Sequence, residues 1–168
     1  VLAAMALRAA PAPQGEALIK ADVLAVFAHP DDETTMAPLI ADLALRQGKR
    51  VDHVYATRGE GGGNMVGRHA GKSLGILREA ELRRCLDRLG VRRCWFLDRE
   101  DFAYTESLSV TLEKWGHEET LERLVRLVRA TRPEVMCTMN PAPSPGQHGN
   151  HQARSEEHTS ELQSPCNL

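Results

Sequence analysis

No apolar run in the 168 residues approaches the roughly 20 that a membrane-spanning helix requires. There is no excess of one charge either: 21 Lys and Arg stand against 23 Asp and Glu, a formal net charge of -2. That balance gives no electrostatic reason to expect nucleic acid or an acidic membrane surface as a partner. The cysteines Cys85, Cys94, Cys137 and Cys166 show no CxxC spacing, so they read as buried thiols rather than a disulfide framework or a zinc knuckle. No internal repeat is visible. A dinucleotide fingerprint is missing, because "GEGGG" follows the second strand candidate and lacks the GxGxxG spacing at a helix start. A P-loop is missing as well, since Val66 stands where the glycine upstream of "GKS" (Gly71–Ser73) is required.

What is present fits one domain with one core. Val23–Ala28 is a short continuous apolar run, the pattern of a fully buried parallel strand. From Asp32 to about Gln47, apolar residues at Met36, Leu39, Ile40, Leu43 and Ala44 predict a helix closed by Gly48. Arg50–Thr57 is a second strand candidate, followed by the glycine-rich loop "RGEGGGNMVGRHAG" and a helix over Ser73–Leu89. Arg93–Leu97 reads as a third strand and Asp98 to Trp115 as an irregular acidic-aromatic loop. His117–Thr131 reads as a third helix, and Glu134–Met139 as a fourth strand before a proline-rich loop. This alternation predicts an α/β fold, a Rossmann-like three-layer α/β/α arrangement with a mainly parallel sheet. Loops after the strands gather at the carboxyl edge, where such sheets place ligands.

The ends read differently. Residues 1–20 form a leader in which "VLAAMALRAAPAPQ" fits either the worn end of a secretory signal or an Ala/Pro segment without fixed structure, so the compartment stays open. Residues 21–153 carry the domain. From Arg154 the chain is polar and without period, and "RSEEHTSELQS" resembles the translation of a sequencing adapter. Residues 154–168 are therefore expected to be a non-native tail, and the domain to be incomplete at its C-terminus. Glu156, Glu157, His158 and Cys166 receive no functional weight on that reading.

Two stretches carry chemistry. In "AHPDDE", Asp31 can cap the following helix while Asp32 and Glu33 complement its dipole. The same residues permit a second reading, in which His29 and Asp32 approach one ion and Asp31 accepts a proton from bound water. In "QHGNHQA", His148 and His151 lie three positions apart, so a tight turn brings both rings to one side. Adding His151 to His29 and Asp32 makes three ligands with a fourth position open for water, the arrangement of a catalytic zinc.

Together "AHPDDE", "ATRGEGGG", "LREAEL" and "HGNHQA" resemble the N-acetylglucosaminyl-phosphatidylinositol de-N-acetylase family, the LmbE-like or PIG-L deacetylases, over roughly Val23–Ala153. "DREDFAYTES" and the segment after it look most like larger, often exported bacterial members. The resemblance implies one zinc ion held by His29, Asp32 and His151, with Asp31 as general base. It implies that His148 stabilises the oxyanion or helps protonate the leaving amine, and that Arg78 contacts substrate. Glu60 is expected to support the glycine-rich loop, and Asp101 to cap its own loop or reach a sugar hydroxyl. The implied reaction removes the N-acetyl group from an N-acetylglucosamine-type sugar or conjugate and releases acetate. The implied partner is thus a small N-acetylated amino sugar or glycoconjugate, with nothing in the motifs bearing on oligomeric state. Two alternatives stay open: a non-catalytic sugar-binding α/β domain, and an inactive fragment of such an enzyme. His53, His69 and His117 lie off the motifs and read as structural or exposed.

Overall fold

Every residue of the first strand, β1 (Val23–Phe27), is buried, as an apolar run at the centre of a sheet covered on both faces must be. The computed structural model describes residues 15, 19–102, 104–139 and 146–153. Most of the leader and all of the tail, with Cys166, lie outside the described residues. β1 pairs in parallel with β2 (Val51–Tyr55) on one side and β4 (Val135–Thr138) on the other, and β3 (Arg93–Phe96) pairs with β2. The resulting four-stranded sheet has the order β3-β2-β1-β4.

Register begins at Asp22. Its carboxylate accepts the Arg50 backbone N–H and two guanidinium bonds, while its carbonyl accepts from the N–H groups of Glu134 and Val135. One residue therefore ties the starts of three strands. Alternate side chains then face opposite layers. Val23, Ala25 and Phe27 pack with Ile40, Leu82 and Leu86 from α1 (Ala37–Ala41) and α2 (Lys72–Leu89). Leu24 and Val26 pack with Val54, Leu97 and Leu124 beneath the last long helix. Each buried Val, Leu, Ile or Phe among them contributes roughly 1.5–3 kcal/mol by leaving water. The expected three layers are present.

Two expectations are corrected. The helix after β1 is not one regular segment but a 3₁₀ stretch (Asp32–Met36), then α1, then a π stretch (Asp42–Arg46). Pro38 has no N–H for the preceding turn, and the hydroxyls of Thr34 and Thr35 bond back to the carbonyls of Asp31 and Asp32, tightening that turn. The supposed irregular loop from Asp98 to Trp115 ends in a helix, α3 (Leu108–Trp115), whose Ser107 side chain caps the Val110 N–H. Its sequence, with Val110 and Thr111, is a weak helix former. Packing of Leu108, Leu112 and Trp115 against Ala56 and Ala153 holds it. The next helix, α4 (His117–Thr131), matches its expected bounds. Cys85, Cys94 and Cys137 are free and half-buried. No helix among the described residues is long and apolar enough to cross a membrane.

His53 sits inside β2 with no exposure, and burial pushes its imidazole down to about 3. The folded ring is neutral, whereas in the unfolded chain it titrates near 6.5. Between these values the unfolded state binds a proton that the folded state refuses, so stability rises with pH. Lowering the pH from 7 to 5 should remove about 2 kcal/mol. Thermal melts of His53→Asn, which keeps a donor at the Nδ1 position, should show a flatter dependence over this window. Equal slopes in the two proteins would place the acid sensitivity elsewhere.

Candidate metal and active site

The strand order sends the chain from β1 to one side for β2 and to the other for β4. The loops leaving β1 and β4 therefore diverge, opening a crevice at the carboxyl edge of the sheet. His29, Asp31 and Asp32 leave β1 into this crevice, and His148 and His151 return to it after β4. A pocket of about 510 Å³ is lined by these five residues together with Arg78, Asp101, Phe102 and Tyr104.

Asp32 is fixed by the main chain, its Oδ2 accepting the N–H groups of Ala28 and His29, each at 2.9 Å. Its Oδ1 lies 3.2 Å from His151 Nε2, and that nitrogen lies 3.2 Å from His29 Nδ1. Burial alone would raise the Asp32 carboxyl, yet hydrogen bonding and charge from His151, with the His29 contacts, hold it below the usual range. The other face of the His29 ring meets Asp101, with Nε2 3.3 Å from Oδ1. A ring proton on Nε2 satisfies that carboxylate and leaves Nδ1 as a lone pair. Ligand atoms of His29, Asp32 and His151 thus converge within 4.8 Å of one another. Lone pairs so close repel unless a proton or a cation lies among them, so the donor set fits a metal ion. Two imidazole nitrogens and a carboxylate oxygen are a zinc-type set.

A second grouping, His29, Asp101 and His148, also falls within 4.8 Å. Here the Asn150 amide intervenes, donating to Asp101 Oδ1 at 3.2 Å and lying 3.1 Å from His29 Nε2. With the His29 proton on Nε2 turned to Asp101, the Asn150 N–H bonds the Asp101 carboxylate alone, so Asn150 supports the group that orients His29.

Asp31 takes no part in the triad. Its side chain is 69% exposed, and Arg78 Nη2 donates to its Oδ2 at 2.7 Å. Loss of solvent in the crevice raises its carboxyl above the usual range, opposed by Arg78 and His29 and reinforced by the charge of Asp32. Its backbone is left-handed, φ 109°, a conformation that costs about 1–3 kcal/mol and collects at functional sites. Arg78 reaches Asp31 because Gly59, at φ 72°, leaves room that a Cβ would take from the guanidinium. Arg78 also donates to the carbonyls of Pro30 and Gly59. Expected as a substrate contact, it lines the pocket with both terminal nitrogens bound to protein acceptors.

His148 receives the Asn150 N–H on Nδ1 at 3.0 Å, so the neutral ring carries its proton on Nε2. Burial lowers its pKa, and repulsion from His29 and His151 adds to this against the pull of Asp101 and Asp32. Gly149 lets the turn press on α3, since a Cβ there would lie 2.6 Å from the Ser107 carbonyl and from Thr111 Oγ1. Glu60 bonds the N–H groups of Arg58 and Asp101, tying the glycine-rich loop to the Asp101 loop, and Asp101 Oδ2 accepts the Gly61 N–H.

Three residues that the sequence motifs gave no part in the site belong to this assembly. Asn150 is fully buried between the two histidines of "HGNH", and its place in that motif was the available signal. Tyr104 donates to the Gly146 carbonyl and stacks edge-on to His148 at 4.9 Å between centroids. Glu33, the third acid of "AHPDDE", is buried beneath Asp31.

The family model for GlcNAc-PI de-N-acetylase, PIG-L, matches residues 24–160. The chain belongs to the PIG-L family. Among solved structures, the N,N'-diacetylchitobiose deacetylase from Pyrococcus horikoshii superposes with a TM-score of 0.66 at 22% identity, covering 85% of this chain and 50% of that one. The conserved protein TT1542 from Thermus thermophilus gives 0.62 at 24%, covering 85% and 56%. The 4-carboxy-2-hydroxymuconate hydratase GalB from Pseudomonas putida gives 0.66 at 22%, covering 83% and 54%. At these identities the likeness is one of fold, and this PIG-L chain spans about half the length of the structures it matches. No curated protein matches it significantly.

Proposed function

We propose that the chain carries the site of a zinc-dependent N-deacetylase that removes the acetyl group from an N-acetylglucosamine-type sugar or conjugate. One observation carries the reading: an ionisable carboxylate, Asp31, borders the same pocket as the three converging ligand atoms without being one of them. His29, Asp32 and His151 would hold the ion. Zinc, when bound, lowers the pKa of water toward about 7 and polarises a carbonyl.

The remaining work falls to the chain. Asp31, steadied by Arg78, accepts the proton of the attacking water. His148, with its ring proton on Nε2, supplies a hydrogen bond to the developing oxyanion. The C–N bond breaks as the proton collected by Asp31 passes to nitrogen, giving acetate and a free amine. Phe102 and Tyr104 supply aromatic wall suited to a sugar face, and Asp101 is kept for His29. Family membership and the fold shared with a chitobiose deacetylase support an N-acetylated amino sugar as substrate class. A sugar-binding domain without turnover has little need of a proton-accepting carboxylate beside a complete ligand set.

The test measures bound zinc and acetate release from a panel of N-acetylglucosamine conjugates. One ion per chain and acetate from at least one conjugate are expected. Zinc binding with sugar affinity and no acetate would favour the binding domain instead.

A further inference from the structure

Glu33 is 3% exposed, and neither the ligand set nor the proton transfers above use it. Its Oε2 accepts two hydrogen bonds, from the Asp31 backbone N–H at 2.9 Å and from the Tyr55 hydroxyl at 3.0 Å. Cys85 Sγ faces Oε1 at 3.9 Å. A phenol has one proton to give. Because Tyr55 gives it to Glu33, the 3.1 Å contact between His53 Nδ1 and the hydroxyl is one in which the ring N–H donates. A directional chain thus runs from His53 through Tyr55 to Glu33, and Glu33 ends it on the Asp31 main chain. Tyr55 and His53 have no exposure at all, so the chain is anchored in the rigid centre of the sheet.

Its terminus is the residue whose backbone needs holding. Asp31 sits at φ 109° without being glycine. Its carbonyl is held locally, by Thr34 N–H and Oγ1, but its N–H is held by Glu33. A small rotation about that peptide would swing the Asp31 carboxylate away from Arg78 and the ligand triad.

We propose that Glu33, braced by Tyr55, is a positioning residue that locks the Asp31 main chain in its left-handed conformation and so aims the general base. The kinetic consequence rests on the deacetylase reading; the locking does not.

The test uses the zinc-loaded full chain as wild type, Glu33→Ala, Glu33→Gln and Tyr55→Phe. It reads acetate release, bound zinc and hydrogen exchange at the Asp31 amide by NMR. Glu33→Ala should lose about 100-fold in kcat with KM within about 2-fold, as a misaimed catalytic group does. It should retain zinc, and its Asp31 amide should exchange at least about 10-fold faster as local opening becomes easier. Glu33→Gln, whose amide oxygen can accept both bonds, should restore kcat and exchange to within about 5-fold of wild type. Tyr55→Phe should fall between the two. Wild-type kcat or wild-type Asp31 exchange in Glu33→Ala overturns the proposal, as does a fall in kcat that tracks lost zinc. Should Glu33→Ala not fold, wild-type exchange and kcat in Tyr55→Phe overturn it equally. If the wild type binds zinc yet releases no acetate, the deacetylase reading fails. The Asp31 exchange rates alone then decide whether Glu33 positions it.

Discussion

Asp31→Asn is expected to keep its full metal content and to lose about 10²–10⁴-fold in turnover, the range for removing a general base. The two halves of this result have separate causes. None of the three converging ligand atoms belongs to Asp31, so the ion has no reason to leave. The fold has none either, because asparagine tolerates positive φ several-fold better than most residues, and its side-chain oxygen can still accept from Arg78. What disappears is the basic oxygen that, on the proposed mechanism, takes the proton of the attacking water. Metal analysis beside acetate-release kinetics on the two proteins checks both halves. Activity within a few-fold of wild type would remove Asp31 from the mechanism, and loss of metal would mean that the carboxylate helps to hold the ion.

The placing of the site residues on one edge was legible because they lie on loops that follow parallel strands. Val23–Ala28 reads as a buried strand from hydrophobicity alone and Glu134–Met139 as a fourth strand, and parallel pairing puts their carboxyl ends on one edge. That is enough to bring His29 near His151 without knowing a distance. The missing parts were missing for physical reasons. α3 is built from residues with weak intrinsic helix preference, and it forms because Trp115 and its neighbours bury against Ala56 and Ala153. That is a tertiary effect with no local periodicity to announce it. The helix after β1 was expected as one piece because its apolar spacing is helical, whereas Pro38 and the two threonine hydroxyls divide it. Asn150 stood inside a quoted motif but was silent, and Glu33 read only as a helix-dipole acid, since their bonds to Asp101 and to the Tyr55 hydroxyl span long sequence separations. Arg78 was expected as a substrate contact, and only its guanidinium contacts reveal that it braces the Asp31 loop.

The supports around His29 give the second large effect, a graded series. His29→Ala should leave no ion after dialysis and no measurable turnover, because it removes one of three ligands and leaves Asp32 and His151 with an incomplete set. Asp101→Ala should do less, weakening metal affinity by about 10–100-fold while leaving one ion per chain at saturating zinc, as loss of a ligand's hydrogen-bond partner does. The difference follows from the geometry. Asp101 Oδ1 lies 3.3 Å from His29 Nε2, on the far side of the ring from the atom that meets His151. Its carboxyl is held below the usual range, burial notwithstanding, by its bond and attraction to His29 and by the Gly61 N–H. Ionised, it draws the ring proton to Nε2 and frees Nδ1 for the cation. Without it the tautomer is no longer dictated, and part of the population presents an N–H where a lone pair is needed. Competition titration against a chelator resolves the two variants. Unchanged affinity in Asp101→Ala would show that packing alone orients the ring, and a full ion in His29→Ala would place the metal somewhere other than this triad.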